Sequence, residues 1–329
     1  MRRSRQLRSR QLRSRRLRAV LAATAVALAV LLAPLRVGPA IGATPMRVGA
    51  HSTDYAWFDS AVGPMQMYRD FDTGFSYATW QDTAAYKAHP GAPAFHYSVK
   101  ILPQRLSDPT DPVNARLATF LATTPKNIVL TNFHEPDYYN NGRFTPAQFR
   151  TGILRFADAV RAQNLADGGT RRVSVVLMDV TFNGYWTWPA SEWWPTDARD
   201  GGHVDLVAGD IYALPNGTNT ACCPRGYTTG LKWQKPAYMI SFLRNFAVAH
   251  ATPWAVTELG YLEDVTDPTH KAQALRDAVA YARTNGADHI LYFDATGPRA
   301  DWRLRWSTPI GTASTTSAAA LAWRSLAAP

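Results

Sequence analysis

The sequence predicts an α/β fold, a single (β/α)8 TIM barrel, on three observations. From Pro45 onward, short apolar runs alternate with helical patterns, the signature of a parallel sheet with crossover helices. Eight such runs are present. Ionisable residues gather just after them, at His51, Arg69, Lys100, Glu135, Asp179, Asp210, Glu258 and Asp294, as in a barrel whose active site lies at the C-terminal strand ends. An open doubly wound sheet also collects polar groups at strand ends and is the alternative.

The runs read as strands at 47–51, 65–71, 94–99, 127–133, 173–180, 204–212, 254–257 and 289–293. Each is too short for a helix and most are rich in β-branched residues. Pro45, Pro64, Pro93, Pro125 and Pro253 stand before runs and none stands inside one. A missing N–H costs least at a strand's first residue. Between the strands, Thr145-Pro146 opens a helix reaching about Ala162, with Thr as N-cap and Pro at the first helical position. Asp267-Pro268 opens another that Asn285-Gly286 stops. Met239 to Ala249 and Ser317 to Leu326 supply two more, and 83–89 and 112–122 are shorter. No internal repeat or linker divides the chain.

Residues 1–43 read as a cleavable signal peptide. Nine Arg and no acid in the first 18 residues precede an apolar stretch from Ala19 to Leu35, then the small residues Ala40, Gly42 and Ala43. An uncleaved membrane anchor is the alternative. With Arg36, this leader holds ten basic residues, which is the whole of the +10 net charge. The expected mature domain, 44–329, is therefore neutral and carries no electrostatic footprint for nucleic acid. It is expected to be exported, monomeric and off the membrane after cleavage. The two cysteines, Cys222 and Cys223, are adjacent. Their Cα atoms lie about 3.8 Å apart across a trans peptide, so a strained vicinal disulfide and two free thiols both stay open. Neither the cysteines nor His51 and His134 form a metal-binding spacing, and no metal or cofactor is expected.

The chemistry concentrates in two stretches. Asn127-Ile-Val-Leu-Thr-Asn-Phe-His-Glu-Pro-Asp137 is an apolar run ending in His134 and Glu135, and Pro253-Trp-Ala-Val-Thr-Glu-Leu-Gly260 is a second ending in Glu258. Pro136 is expected to hold Glu135 extended at the strand end. Two glutamates closing the fourth and seventh strands would face each other across a barrel mouth. One protonated and one ionised carboxyl in one cleft is what hydrolysis of a glycosidic bond requires. Glu135 is expected to be the acid/base, raised by partial burial and tuned by His134 and Asp137. Glu258 is expected to be the nucleophile, kept ionised by Arg69 and bonded by Tyr212. A lone strand-end glutamate is more often solvated or salt-bridged, and Arg69 has Asp70 and Asp72 as rival partners.

The segments Asn132-Phe-His-Glu-Pro136, Val204-Asp-Leu-Val-Ala-Gly-Asp-Ile-Tyr212 and Thr257-Glu-Leu-Gly260 resemble clan A of the glycoside hydrolases, (β/α)8 enzymes that cleave with retention. The His134-Glu135 pair resembles glycoside hydrolase family 26 in particular, which includes endo-β-1,4-mannanases. The resemblance implies Glu135 as acid/base, Glu258 as nucleophile, and His134 as a sugar-positioning residue. The chain departs from that family at Tyr138 to Asn141, where a Trp-rich segment is usual, and at Phe293, where clan members often place Trp. Tyr138, Asp210, Tyr212, Arg69 and Phe293 are the further substrate-binding candidates, with a polysaccharide or oligosaccharide as partner. Eleven Trp and 14 Tyr are more aromatic surface than a core alone needs. Trp186, Trp188, Trp193 and Trp194 would line the loop after the fifth strand, where aromatic faces stack on sugars. At least one of the four is expected to be exposed; core packing is the alternative for Trp193 and Trp194. A non-catalytic carbohydrate-binding barrel is the alternative function.

Overall fold

The computed structural model describes residues 45–328, apart from 179–188, 196–203, 214–234, 264–266, 268, 297–300, 308–311 and 314–316. Residues 1–43, expected from the sequence to be a signal peptide, and Asp179, Trp186, Trp188, Cys222 and Cys223 lie outside the described residues.

Eight parallel strands close on themselves in sequence order: β1 (Arg47–Ser52), β2 (Met67–Asp72), β3 (Phe95–Val99), β4 (Val129–Asn132), β5 (Arg172–Leu177), β6 (Leu206–Ala213), β7 (Trp254–Tyr261) and β8 (His289–Asp294). The closure is explicit, since β1 pairs with β8 from Arg47↔His289 to Ser52↔Asp294. That pairing excludes the open doubly wound sheet. Around the barrel run α1 (Tyr55–Ala61), α2 (Ala84–Ala88), α3 (Pro103–Ser107), α4 (Pro112–Thr123), α5 (Pro136–Tyr139), α6 (Pro146–Asp167), α7 (Ala190–Trp193), α8 (Pro236–Ala249), α9 (His270–Thr284) and α10 (Ala318–Ala327). A short antiparallel pair, β9 (Trp306–Ser307) and β10 (Thr312–Ala313), follows β8. No described helix is long and apolar enough to cross a membrane.

The helix ends follow local chemistry. At α6 the Thr145 side chain accepts from the Gln148 N–H while Gln148 accepts from the Thr145 N–H, a reciprocal capping box. Gly168, at φ +69°, then ends the helix in the left-handed region. Gly286, at φ +74°, does the same just past α9. Ser317 caps α10 through the Ala320 N–H.

Period-two alternation sends one side of every strand into the barrel. The dry middle of the interior is Met67, Val129, Val176, Leu206, Ala208, Ala255 and Leu291, all buried. A larger shell, with Phe58, Phe149, Leu243 and Trp323, joins barrel to helices. Gly49 is required where β1 meets β2, because a Cβ there would lie 2.0 Å from the Met67 carbonyl oxygen. At the N-terminal end the interior turns polar. His96 meets His289 (3.1 Å) and Thr131 (2.9 Å), and His289 meets Asp288 (2.7 Å). Every polar side chain in that layer has a partner, as burial demands.

Trp193 and Trp194, from the aromatic stretch after β5, are buried. Trp193 packs on Phe144 and Phe149, and Trp194 on Phe246 and His250. These contacts fix α7 against its neighbouring helices and take Trp193 and Trp194 out of the sugar-stacking candidates.

Candidate active site

The same alternation that buries Met67 turns Arg69 and Phe71 inward on β2, and Asp210 and Tyr212 follow Ala208 inward on β6. The groups meet above the apolar layer, at the C-terminal end.

Glu258 does not close its strand. β7 runs on to Tyr261, and the register explains the length. Val256 pairs with Gly209 on β6 and Ile290 on β8, but the next partners are Glu258 with Asp210 and Leu259 with Tyr292. One extra β7 residue is inserted against both neighbours. Such a bulge re-aims a side chain, and here it sets the Glu258 and Asp210 positions side by side.

Glu135 also departs from expectation. It is left-handed, at φ +52°, rather than extended, and Phe133 two residues earlier is left-handed at φ +55°. Pro136 disfavours the right-handed helical region for its predecessor, and Glu135 escapes on the opposite side of φ. The tertiary ladder imposes this, since the Phe133 N–H donates to the Val99 carbonyl (2.6 Å) and the Glu135 N–H to the Val176 carbonyl (2.9 Å). Each left-handed non-glycine residue costs about 1–3 kcal/mol, and the pair brackets His134. Asp137 fixes the turn by accepting from the Met178 N–H with both oxygens, at 3.1 and 3.0 Å.

β4, β6 and β7 bring three buried carboxylates together. One oxygen from each of Glu135, Asp210 and Glu258 lies within 4.8 Å of the others. Arg69, fully buried beneath them, donates to Asp210 Oδ1 and Glu258 Oε1, both at 3.1 Å. Its rivals are engaged elsewhere. Asp70 accepts from the Phe71 and Ala85 N–H groups, and Asp72 from Gly74, Ser76 and Tyr77. Thr257 Oγ1 donates to Asp210 (2.6 Å), and the Tyr212 hydroxyl donates to Glu258 Oε2. A carboxylate triad is a set of groups that can hold a cation, but the Arg69 guanidinium already supplies positive charge against two of its members.

Burial raises Glu135 well above the ordinary carboxylate range, helped by repulsion from Asp210, Glu258 and Asp137 and opposed by Lys100. Arg69 does pair with Glu258, but it does not hold that carboxyl in the ordinary ionised range. Burial, then repulsion from Asp210, pushes Glu258 up to about 8 against the pull of Arg69 and Tyr212. Both glutamates bind protons more tightly than in water.

The remaining candidates form the walls. His134 is buried and neutral, its affinity for a proton lowered by burial and then by Lys100 and Arg69, and its ring meets Phe71 at 5.2 Å. Phe293 stacks on His51 (5.5 Å) and meets Tyr212 edge-on (5.9 Å). Tyr138 is half-buried on α5 against Tyr139. Arg69 and Asp210 are fully buried, so they lie under the two glutamates and not on the walls.

Sequence reasoning placed His51 and Lys100 at the strand ends without giving them a role, and it missed Phe71, although each occupies the inward parity of its strand end. It also missed Trp302, which carries no local signal. The loop after β8 folds back so that the Trp302 ring lies 4.8 Å from Tyr212. Its carbonyl is held by the buried Lys271 ammonium (3.2 Å) and the Tyr292 hydroxyl (2.5 Å). Gly260 leaves room for this contact, since a Cβ there would sit 2.4 Å from the Tyr212 ring and 3.0 Å from Trp302. Gly260→Ala should therefore push Tyr212 off Glu258, costing about 1–3 kcal/mol of stability, measured by urea unfolding. An unchanged unfolding midpoint would show that the rings yield freely.

No family model and no curated protein sequence matches the chain. Solved structures do. An endo-β-1,3-glucanase of glycoside hydrolase family 128 (subgroup I) from Amycolatopsis mediterranei, in complex with laminarihexaose, is 14% identical with a TM-score of 0.52, over 85% of this chain and 99% of that one. A family 128 (subgroup II) endo-β-1,3-glucanase from Sorangium cellulosum is 13% identical with a TM-score of 0.54, over 85% and 98%. A modular family 26 endo-β-1,4-mannanase from Cellulomonas fimi is 11% identical with a TM-score of 0.53, over 87% and 71%. The chain shares its fold with these glycoside hydrolases. At 10–14% identity among such neighbours, the fold is what the likeness carries, and the chemistry has to come from this chain's own residues.

Proposed function

We propose that this protein is an exported, retaining glycoside hydrolase acting on a β-linked polysaccharide. The observation that carries this reading is the spacing of the carboxyls. Glu135 and Glu258 present oxygens within 4.8 Å of each other, whereas inverting enzymes keep their two carboxyls about 6.5–9.5 Å apart to admit a water and retaining ones about 5–5.5 Å.

Each role follows from the surroundings. Glu135, whose proton is held most firmly by burial, donates it to the leaving oxygen. Glu258 attacks the anomeric carbon, oriented by Arg69 on one oxygen and Tyr212 on the other. Water then enters, Glu135 takes its proton as base, and the glycosyl ester on Glu258 is cleaved with a second inversion, giving net retention. Asp210 and Arg69 act from below, fixing Glu258 and supplying the repulsion that separates proton from carboxylate. Phe293, Phe71, His134 and Tyr138 line the space where the sugar sits.

The similar solved structures include hydrolases of β-1,3-glucan and β-1,4-mannan, which supports a β-glycan and leaves its linkage to experiment. The test is a panel of β-1,3-glucan, β-1,4-glucan, β-mannan, xylan and β-1,4-galactan, with the anomer of fresh product read by proton NMR. Retention on at least one polymer is the expected result. Initial inversion would contradict the carboxyl spacing, and binding without hydrolysis would favour a non-catalytic carbohydrate-binding barrel.

A further inference from the structure

A cavity of about 390 Å³ opens on the same face of the barrel as the carboxylates, beyond the end of β3. Its floor is apolar, made by Phe75, Ile101 and Val113, all buried. Its rim is cationic, with Lys100, Arg105 and Arg116. Asp111 neutralises Arg105 through two bonds of 2.9 Å. The other two are different. Among the described residues, neither Lys100 nor Arg116 is in an ion pair. Both are instead held over rings, Lys100 Nζ at 4.5 Å from the Tyr139 centroid and the Arg116 guanidinium at 4.9 Å from Phe75. Arg116 keeps further donors after its one bond to the Tyr77 carbonyl (3.3 Å).

Lys100 also ties this cavity to the chemistry. It stands at the inward parity of β3, one residue past the strand's end, and its charge acts on Glu135. A unit bound here would share Lys100 with the carboxylate site. An apolar floor suits the C–H face of a sugar ring. Lys100 already lies in the field of Glu135, Glu258 and Asp210, whereas Arg116 makes no ion pair among the described residues, and its planar fork suits a carboxylate on that ring.

We infer that this cavity receives the carboxylate of an acidic sugar unit, so that the substrate is a uronate-bearing β-glycan. The inference rests on the hydrolase reading for cleavage, but not for binding.

The test is an NMR titration of the full chain, followed through its amide resonances at constant ionic strength. Sodium D-glucuronate, methyl β-D-glucopyranoside and sodium sulfate are the three probes. Glucuronate should shift the amides of Phe75, Ile101, Val113 and Arg116 saturably, and bind at least tenfold more tightly than the glucoside or sulfate. Arg116→Gln should weaken glucuronate about tenfold or more, the scale of one charge-assisted contact. Arg116 is exposed, so that variant should fold as the native chain does. No saturable shift, equal binding of the glucoside, an unaffected Arg116→Gln, or sulfate binding as tightly as glucuronate would each overturn the inference. Glucuronate binding by a protein that cleaves no polymer of the panel extended with uronate-bearing β-glycans would support the cavity and sink the hydrolase reading. Hydrolysis of neutral glycans with no glucuronate binding would do the reverse.

Discussion

Glu258→Ala should lower turnover by about 10⁴-fold or more, the scale on which removing a covalent nucleophile acts. Substrate affinity should change far less, because Glu258 sits at the floor, nearly inaccessible, between Arg69 and Tyr212. The variant leaves a small space beside an intact guanidinium. Azide added to it should enter that space, attack the anomeric carbon and restore turnover, yielding a glycosyl azide of inverted anomeric configuration. A loss of less than tenfold, or rescue giving only retained product, would place the nucleophile elsewhere.

Glu135→Gln should lose about 10² to 10⁴-fold in activity, as expected for a general acid/base. It should also gain stability at neutral and alkaline pH. Glu135 holds its proton well above its ordinary 4.5 in the folded chain, whereas the unfolded chain ionises near 4.5. Stability tied to a raised carboxyl is fully present below the unfolded value and is lost as pH rises through the folded one. The native protein should therefore lose stability from pH 4.5 upward in a way that the glutamine variant does not. The difference corresponds to about 1.4 kcal/mol for every tenfold difference in proton affinity between the two states. Chemical unfolding of both proteins at pH 4, 6 and 8 measures it. Parallel curves would mean that Glu135 is not held protonated by its surroundings. The same physics sets the activity profile, since Glu258 must be ionised to attack. Its elevation to about 8 should carry the acid limb of kcat/KM upward, out of the ordinary carboxylate range.

The barrel was legible because its strands are nearly continuous apolar runs punctuated by proline, and because inward-facing polar residues fall at their C-terminal ends. Glu135, Glu258, Arg69, Asp210 and Tyr212 were all visible on that basis, and the fold brings them into one cluster. The geometry that aims them was not legible. The β7 bulge at Thr257–Glu258 has no glycine or proline to announce it and exists only against its two neighbouring strands. The left-handed Glu135 and Phe133 are set by hydrogen bonds to β5 and β3, which outweigh the local preference of a pre-proline residue. The Arg69–Asp210 pair joins residues 141 positions apart. Three carboxylates crowding one buried arginine reverse the expectation of an easily ionised nucleophile. Trp302 is held at the site by Lys271, Tyr292 and the Ala295 carbonyl acting on its backbone, and nothing near it in sequence says so.

The glycosyl ester on Glu258 is the most direct test. An activated 2-deoxy-2-fluoro glycoside of the sugar that the polysaccharide panel identifies should inactivate the native protein. Intact mass should then rise by one glycosyl unit, and fragmentation should place it on the peptide containing Thr257-Glu258-Leu259. A label on any other residue, or turnover of the probe with no covalent adduct at any time, would contradict the assignment of Glu258 as the attacking group.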